Sequence, residues 1–112
     1  MKLPSVALAA IETAINRLIQ DQLDDTPDLI DPVLDQKAIC IDLEGLNLQF
    51  YMVFYGDVVT IMDDYPRQPD ASIRGTPLAL TGAGKFGNAS DVKLDGDLKV
   101  AQALDLLLHK LE

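Results

Sequence analysis

Ala38-Ile39-Cys40-Ile41-Asp42-Leu43-Glu44-Gly45-Leu46-Asn47-Leu48-Gln49-Phe50-Tyr51-Met52-Val53-Phe54-Tyr55 is the stretch from which the architecture follows. Its apolar residues recur at every second position. Ile39, Ile41 and Leu43 alternate with Cys40, Asp42 and Glu44; Leu46, Leu48, Phe50, Met52 and Phe54 then alternate with Asn47, Gln49, Tyr51, Val53 and Tyr55. Successive side chains of a strand point to opposite faces, so each segment lays one apolar row on one side of a sheet. Gly45 between the rows permits a tight reversal. Gly56-Asp57 supplies the next turn, and the β-branched run Val58–Met62 returns beside the second strand, completing an antiparallel meander.

Upstream the period changes to that of a helix. Leu8, Ile11, Ile15, Leu18 and Ile19 form one side, with Glu12, Asn16, Arg17 and Gln20 on the other. The helix is predicted to start at Ser5 as N-cap and to run to about Leu23, where Asp24-Asp25-Thr26-Pro27 breaks it. Residues 28–36 contain Leu29, Ile30, Val33 and Leu34, enough for one or two helical turns, with Pro32 early enough to be tolerated. Downstream, residues 63–69 form a loop by composition and residues 70–75 a short strand. Thr76-Pro77 opens a short helix through Leu78, Ala79 and Leu80 that Gly82 and Gly84 end. Residues 92–94 are a last strand. Asp97 then caps a closing helix whose apolar face is Leu98, Ala101, Leu104, Leu107, Leu108 and Leu111. The fold expected is α+β, with a mostly antiparallel five-stranded sheet and helices covering one face. At 112 residues, 1–112 is expected to be one domain.

Composition excludes several functions. The net charge of -9 repels phosphate backbones and anionic surfaces, so no nucleic-acid partner is expected. Much of the excess lies in Asp21, Asp24, Asp25, Asp28, Asp31 and Asp35, with no basic residue until Lys37. That run is either a solvated connector or a docking patch for a basic partner. Cys40 is the only cysteine, which rules out an intramolecular disulfide and points to a cytoplasmic location. The start lacks the basic-then-apolar run of a secretory signal, and no stretch nears the ~20 apolar residues of a membrane span, so any membrane contact is peripheral.

Chemistry-bearing constellations are missing from the sequence. The only histidine, His109, lies in the last helix turn, where a cation near the helix C-terminus accounts for it better than a triad does. Cys40 sits among apolar neighbours as an inert thiol would. Zinc needs close Cys and His pairs, and the chain has one of each, far apart. Asp63-Asp64 and Asp95-Gly96-Asp97 lack the alternating ligands of a calcium loop. Gly82-Ala83-Gly84-Lys85 fails as a phosphate loop because Ala79 and Phe86 stand where Gly and Ser or Thr are required. No catalytic residue, metal or cofactor is expected. The row Phe50, Met52, Phe54 reads first as ordinary core, and composition and periodicity do not separate that from the wall of a pliable pocket. Leu106, between Gln102 and His109 on the polar side of the last helix, is expected to be exposed in a monomer. It would suit a partner, a membrane surface or a second copy.

Pro69-Asp70-Ala71-Ser72-Ile73-Arg74-Gly75-Thr76-Pro77-Leu78-Ala79-Leu80, followed by Val92-Lys93-Leu94-Asp95-Gly96-Asp97-Leu98-Lys99-Val100-Ala101, resembles the sterol carrier protein type 2 domain over nearly the whole chain. That family shows a Pro-Asp strand, a short Leu-Ala-Leu helix, and a closing strand, small-residue turn and helix. Within it, the opening helix, the strand and turn from Ile39 to Gly45, and Asp95-Gly96-Asp97 followed by Gln102 are most similar to the N-terminal domain of UbiJ-type ubiquinone biosynthesis accessory factors. The resemblance implies an apolar cavity between helices and sheet that holds polyprenylated quinone precursors or other lipids for biosynthetic enzymes, without catalysis. An isoprenoid tail gains roughly 25 cal/mol per Å² of apolar surface removed from water, enough for binding without a charged contact. The lining it implies is Ile11, Ile15, Leu18, Phe50, Met52, Phe54, Ile61, Leu78, Leu104 and Leu108. It also implies a UbiK-like partner pairing with a C-terminal helical extension. The sequence ends at Glu112, so either that extension is missing from it or the contact is absent, and Leu106 would mark where a continuing helix associates. The alternative reading is an interaction scaffold or homodimerisation domain whose cavity is vestigial.

Overall fold

A computed structural model describes residues 4–76 and 92–111. Their elements are α1 (Ser5–Leu23), a 3-10 turn (Pro32–Leu34), β1 (Ala38–Leu43), β2 (Leu48–Tyr55), β3 (Val58–Met62), β4 (Ala71–Gly75), β5 (Lys93–Gly96) and α2 (Leu98–Lys110). The short helix predicted after Thr76, and with it Leu78, lies outside the described residues.

The architecture is α+β, but the sheet is mixed. Its strand order is β3-β2-β1-β4-β5, and β1 pairs with β4 in parallel, Ile39 opposite Ala71 and Ile41 opposite Ile73. The other pairings are antiparallel. The expectation of a mostly antiparallel sheet therefore misses the central pairing. β3 and β4 run in the same direction on either side of the β2-β1 pair, so the connecting residues 63–70 have to cross the sheet. Tyr65 on that connection stacks on Tyr51, with ring centroids 5.9 Å apart, and so carries the crossing over the face away from the helices. Asp70 fixes its landing: its N–H donates to the Ala38 carbonyl and its carboxylate accepts from the Ala38 N–H, both at 2.8 Å.

The period-2 rows fall where the sequence put them. Ile39, Ile41, Phe50, Met52 and Phe54 are all buried, and with Val59, Ile61, Ala71 and Ile73 they make one apolar side of the sheet. The first reversal is wider than expected. It occupies residues 44–47, with Gly45 and Asn47 both at positive φ, and Leu46 is 54% exposed in it and not in β2. Asp97 caps α2 as predicted, its carboxylate accepting from the Lys99 and Val100 N–H groups. Ser5 does not cap α1; Pro4 holds the N-cap position and no side chain bonds to the first turn.

Two polar residues of α1 also depart from the sequence reading. Asn16 and Glu12 do not face solvent but turn to β3, the sheet edge. The Asn16 amide donates to the Val59 carbonyl and accepts from the Val59 N–H, both at 2.8 Å, while Glu12 accepts from the Ile61 N–H. An edge strand leaves a row of N–H and C=O groups unpaired. Here a helix supplies side-chain partners in place of a further strand.

Candidate functional site

The two long helices cover the same face of the sheet at its opposite edges: α1 packs on β3, whereas α2 packs on β4, β5 and the 3-10 turn. The apolar faces of β1 and β2 lie between them. At the end where β1 begins, Ile19, Leu29, Leu34 and Phe54 close the interior, each 3% exposed or less. The chain is pinned there by the Gln36 N–H donating to the Phe54 carbonyl and the Phe54 N–H donating to the Lys37 carbonyl. At the other end β1 and β4 finish and β2 and β5 begin, with Leu43 opposite Leu48 and Ile73 opposite Leu94. There Leu43, Val92 and Leu94 are only partly buried against the core. Because α1 runs antiparallel to β3, with Glu12 at Ile61 and Asn16 at Val59, the early turns of α1 reach the same end. Ile11 and Ile15 on them are likewise only partly buried. The arrangement is an apolar core between helices and sheet whose margins are partly buried, at Ile11, Ile15, Leu43, Val92 and Leu94 toward one end and at Leu23, Ile30 and Val33 toward the other, with no buried charge among the described residues.

Of the residues expected to line a cavity, Phe50, Met52, Phe54, Ile61 and Leu104 belong to this core, and Ile11, Ile15 and Leu108 pack against it. Leu18 does not join them. It is 41% exposed and outside the apolar cluster, because Ile19 takes the inward position on that turn. Leu43, Val92 and Leu94, which sequence reasoning did not single out as lining, stand partly buried at the end where β1 and β4 finish. Leu43 was visible as the last member of the β1 row, but nothing local marks it as a rim.

The open face of the sheet is chemically quiet. Cys40 is buried there and its Sγ accepts from the Gln49 Nε2 at 2.8 Å. Burial pushes the thiol above its ordinary value, with the Asp42 charge adding to the shift and the Gln49 and Tyr51 hydrogen bonds opposing it. We expect an aromatic disulfide reagent to label native Cys40 at least about tenfold more slowly than the urea-unfolded chain near neutral pH. Equal rates would contradict the burial. The linkage has a fixed sign: the folded chain keeps a proton that the unfolded chain releases, so this contribution to stability is lost as pH rises past the unfolded thiol's range. The His109 Nδ1 donates to the Asp105 carbonyl at 2.7 Å, which ties the ring to its own helix. Among the described residues no cluster of His, Cys, Asp or Glu is placed to hold a metal ion, and no helix is long and apolar enough to cross a membrane.

The model of the SCP-2 sterol transfer family matches residues 15–109. The chain belongs to that family. Among solved structures, one described as "UbiJ-SCP2 Ubiquinone synthesis protein" superposes with a TM-score of 0.72 at 16% identity, over 96% of each chain. Palmitated sterol carrier protein 2-like 2 from Aedes aegypti superposes with a TM-score of 0.52 at 14% identity, covering 86% of this chain and 92% of that one. The sec-alkylsulfatase Pisa1 from Pseudomonas sp. matches over 74% of this chain but 14% of its own, with a TM-score of 0.55 and 21% identity. At these identities the likeness is one of fold. No curated protein sequence matches the chain.

Proposed function

We propose that this member of the SCP-2 sterol transfer family is a non-catalytic lipid-binding domain, 1–112, acting as an accessory factor in ubiquinone synthesis in the cytoplasm. It would hold the tail of a polyprenylated quinone precursor between helices and sheet and present the ring to biosynthetic enzymes, with a UbiK-like protein among its partners. The observation that carries the lipid reading is the uncharged apolar lining that stays partly accessible at Ile11, Ile15, Leu43, Val92 and Leu94. Such walls favour an aliphatic chain by area alone and select weakly among tails of similar bulk. The ubiquinone assignment is supported by the likeness to the UbiJ-SCP2 structure.

Organic extraction and mass spectrometry of protein taken from its native host test both parts. A prenylated quinone precursor is the expected extract. Phospholipid or fatty acid alone would keep the lipid reading and sink the ubiquinone one, and an empty protein that takes up no added lipid would end both. Ile15→Asn should weaken uptake of a fluorescent fatty acid about tenfold, since it puts an amide into the lining. Leu18→Asn, outside the apolar cluster, should leave uptake unchanged.

A further inference from the structure

Two sequence features with no part in the lipid reading meet in one place. The acidic connector and the exposed Leu106 of α2 line the same groove, of about 270 Å³, between the 3-10 turn and α2. Its walls are Leu29, Ala103 and Leu107, each nearly buried, and Leu106 stands 61% exposed at the rim. Asp28 and Asp31 flank it on the connector, and Lys110 is the one cation lining it. The adjoining Asp24, Asp25 and Asp35 are also exposed. The Asp31 carboxylate spends one oxygen on the Val33 N–H, and that of Asp35 one on the Gly56 N–H. Neither is neutralised by those bonds.

We infer that this groove docks a basic amphipathic segment of another protein, with an apolar side chain seated beside Leu106 and lysine or arginine facing Asp28 and Asp31. The volume suits one or two apolar side chains, not a lipid tail. The chemistry also decides between occupants. A second copy would bring its own carboxylates to these, in a chain of net charge -9, and an anionic membrane surface would be repelled in the same way. A cationic segment gains on both counts: encounter is steered by the acidic rim, and residence is set by the apolar anchor. Leu29, Ala103 and Leu107 also belong to the apolar core, whereas Asp28, Asp31 and Leu106 lie outside it, so the charges and the exposed anchor are not part of the lipid lining.

The test uses two synthetic helical peptides of equal positive charge, one with leucines along one face and one with serines in their place, titrated into the isotope-labelled chain. The leucine peptide should shift amide resonances of residues 28–32 and 103–110 and bind at least about tenfold more tightly than the serine peptide. Leu106→Glu, on an exposed position that leaves the fold intact, should remove that tenfold advantage. Asp28→Asn together with Asp31→Asn, the second keeping its bond to Val33, should slow association and flatten its salt dependence. Equal binding of the two peptides would reduce the effect to bulk charge and overturn the proposal. Shifts confined to the Ile11, Ile15 and Leu43 end, or a concentration-dependent dimer abolished by Leu106→Glu, would overturn it too, by assigning the peptide or the groove to another use. Fatty-acid uptake by Leu106→Glu should equal that of the unaltered chain, which separates failure here from failure of the lipid reading.

Discussion

Gly96→Ala should cost about 3 kcal/mol of stability and lower Tm by roughly 10 °C or more, as measured by chemical denaturation and calorimetry. Gly96 ends β5 with φ at +81°, a conformation that a side chain makes costly by itself. It also passes close to another strand: a Cβ there would lie 2.8 Å from the Asp70 carbonyl oxygen and 2.9 Å from the Ala71 Cα. Both atoms are backbone, so no flexible side chain can swing aside. The Asp70 carbonyl is further held by the Asp97 N–H at 2.9 Å, and Asp70 itself makes two hydrogen bonds with Ala38. Relief of the clash would have to move β4 off β1 or break the N-cap of α2. Gly45→Ala is the control. It shares a positive φ, at +90°, but an added Cβ meets nothing within 4 Å, so only the conformational cost of about 1 kcal/mol is expected. Equal losses at the two glycines would show that the close approach of β5 to β4 contributes nothing.

The same corner shows how far the sequence carries. Gly96 and Asp97 were legible as turn and cap because both signals are local: a residue that tolerates positive φ, then a carboxylate before a helical apolar face. The β1 and β2 rows were legible for the same reason, since a half-buried strand prints its orientation on every second residue. The parallel pairing of β1 with β4 was not. A chain that leaves one edge of a meander through eight residues of loop, 63–70, can return to either side, and the period and composition of the loop do not print the choice. What fixes it is the set of bonds Asp70 makes with Ala38, between residues distant in sequence. The candidate site divides along the same line. Phe50, Met52 and Phe54 declared themselves by period, whereas the partial exposure that makes Ile11, Ile15, Leu43 and Leu94 a rim depends on how far each helix reaches along the sheet. Leu18 and Ile19 are adjacent apolar residues on one helix, and hydrophobicity alone does not say which of the two turns inward.

Asn16 is the position where the helical pattern misled most, and Asn16→Asp is the substitution that tests why. A polar residue opposite an apolar stripe is expected to face water, yet this amide lies against β3 and meets both polar groups of Val59, whose side chain is fully buried. Only an amide offers a donor and an acceptor in that arrangement. A carboxylate keeps the bond from the Val59 N–H but sets its second oxygen against the Val59 carbonyl, 2.8 Å from where the amide nitrogen now donates. The expected loss at neutral pH is about 2–3 kcal/mol, one hydrogen bond plus the cost of two acceptors facing each other without a proton. Protonation restores a donor, so the folded state raises the pKa of the introduced carboxyl above its unfolded value. The sign follows: relative to the unaltered chain, the variant is least impaired below the unfolded aspartate range and loses stability as pH rises through it. Asn16→Ala should lose about 1–2 kcal/mol with no such pH dependence. A deficit in Asn16→Asp that stays flat from acid to neutral pH would mean that the pairing with Val59 does not hold α1 to the sheet edge. The packing of α1 at Ile11 and Ile15 would then rest on another fastening, the Glu12 bond to the Ile61 N–H.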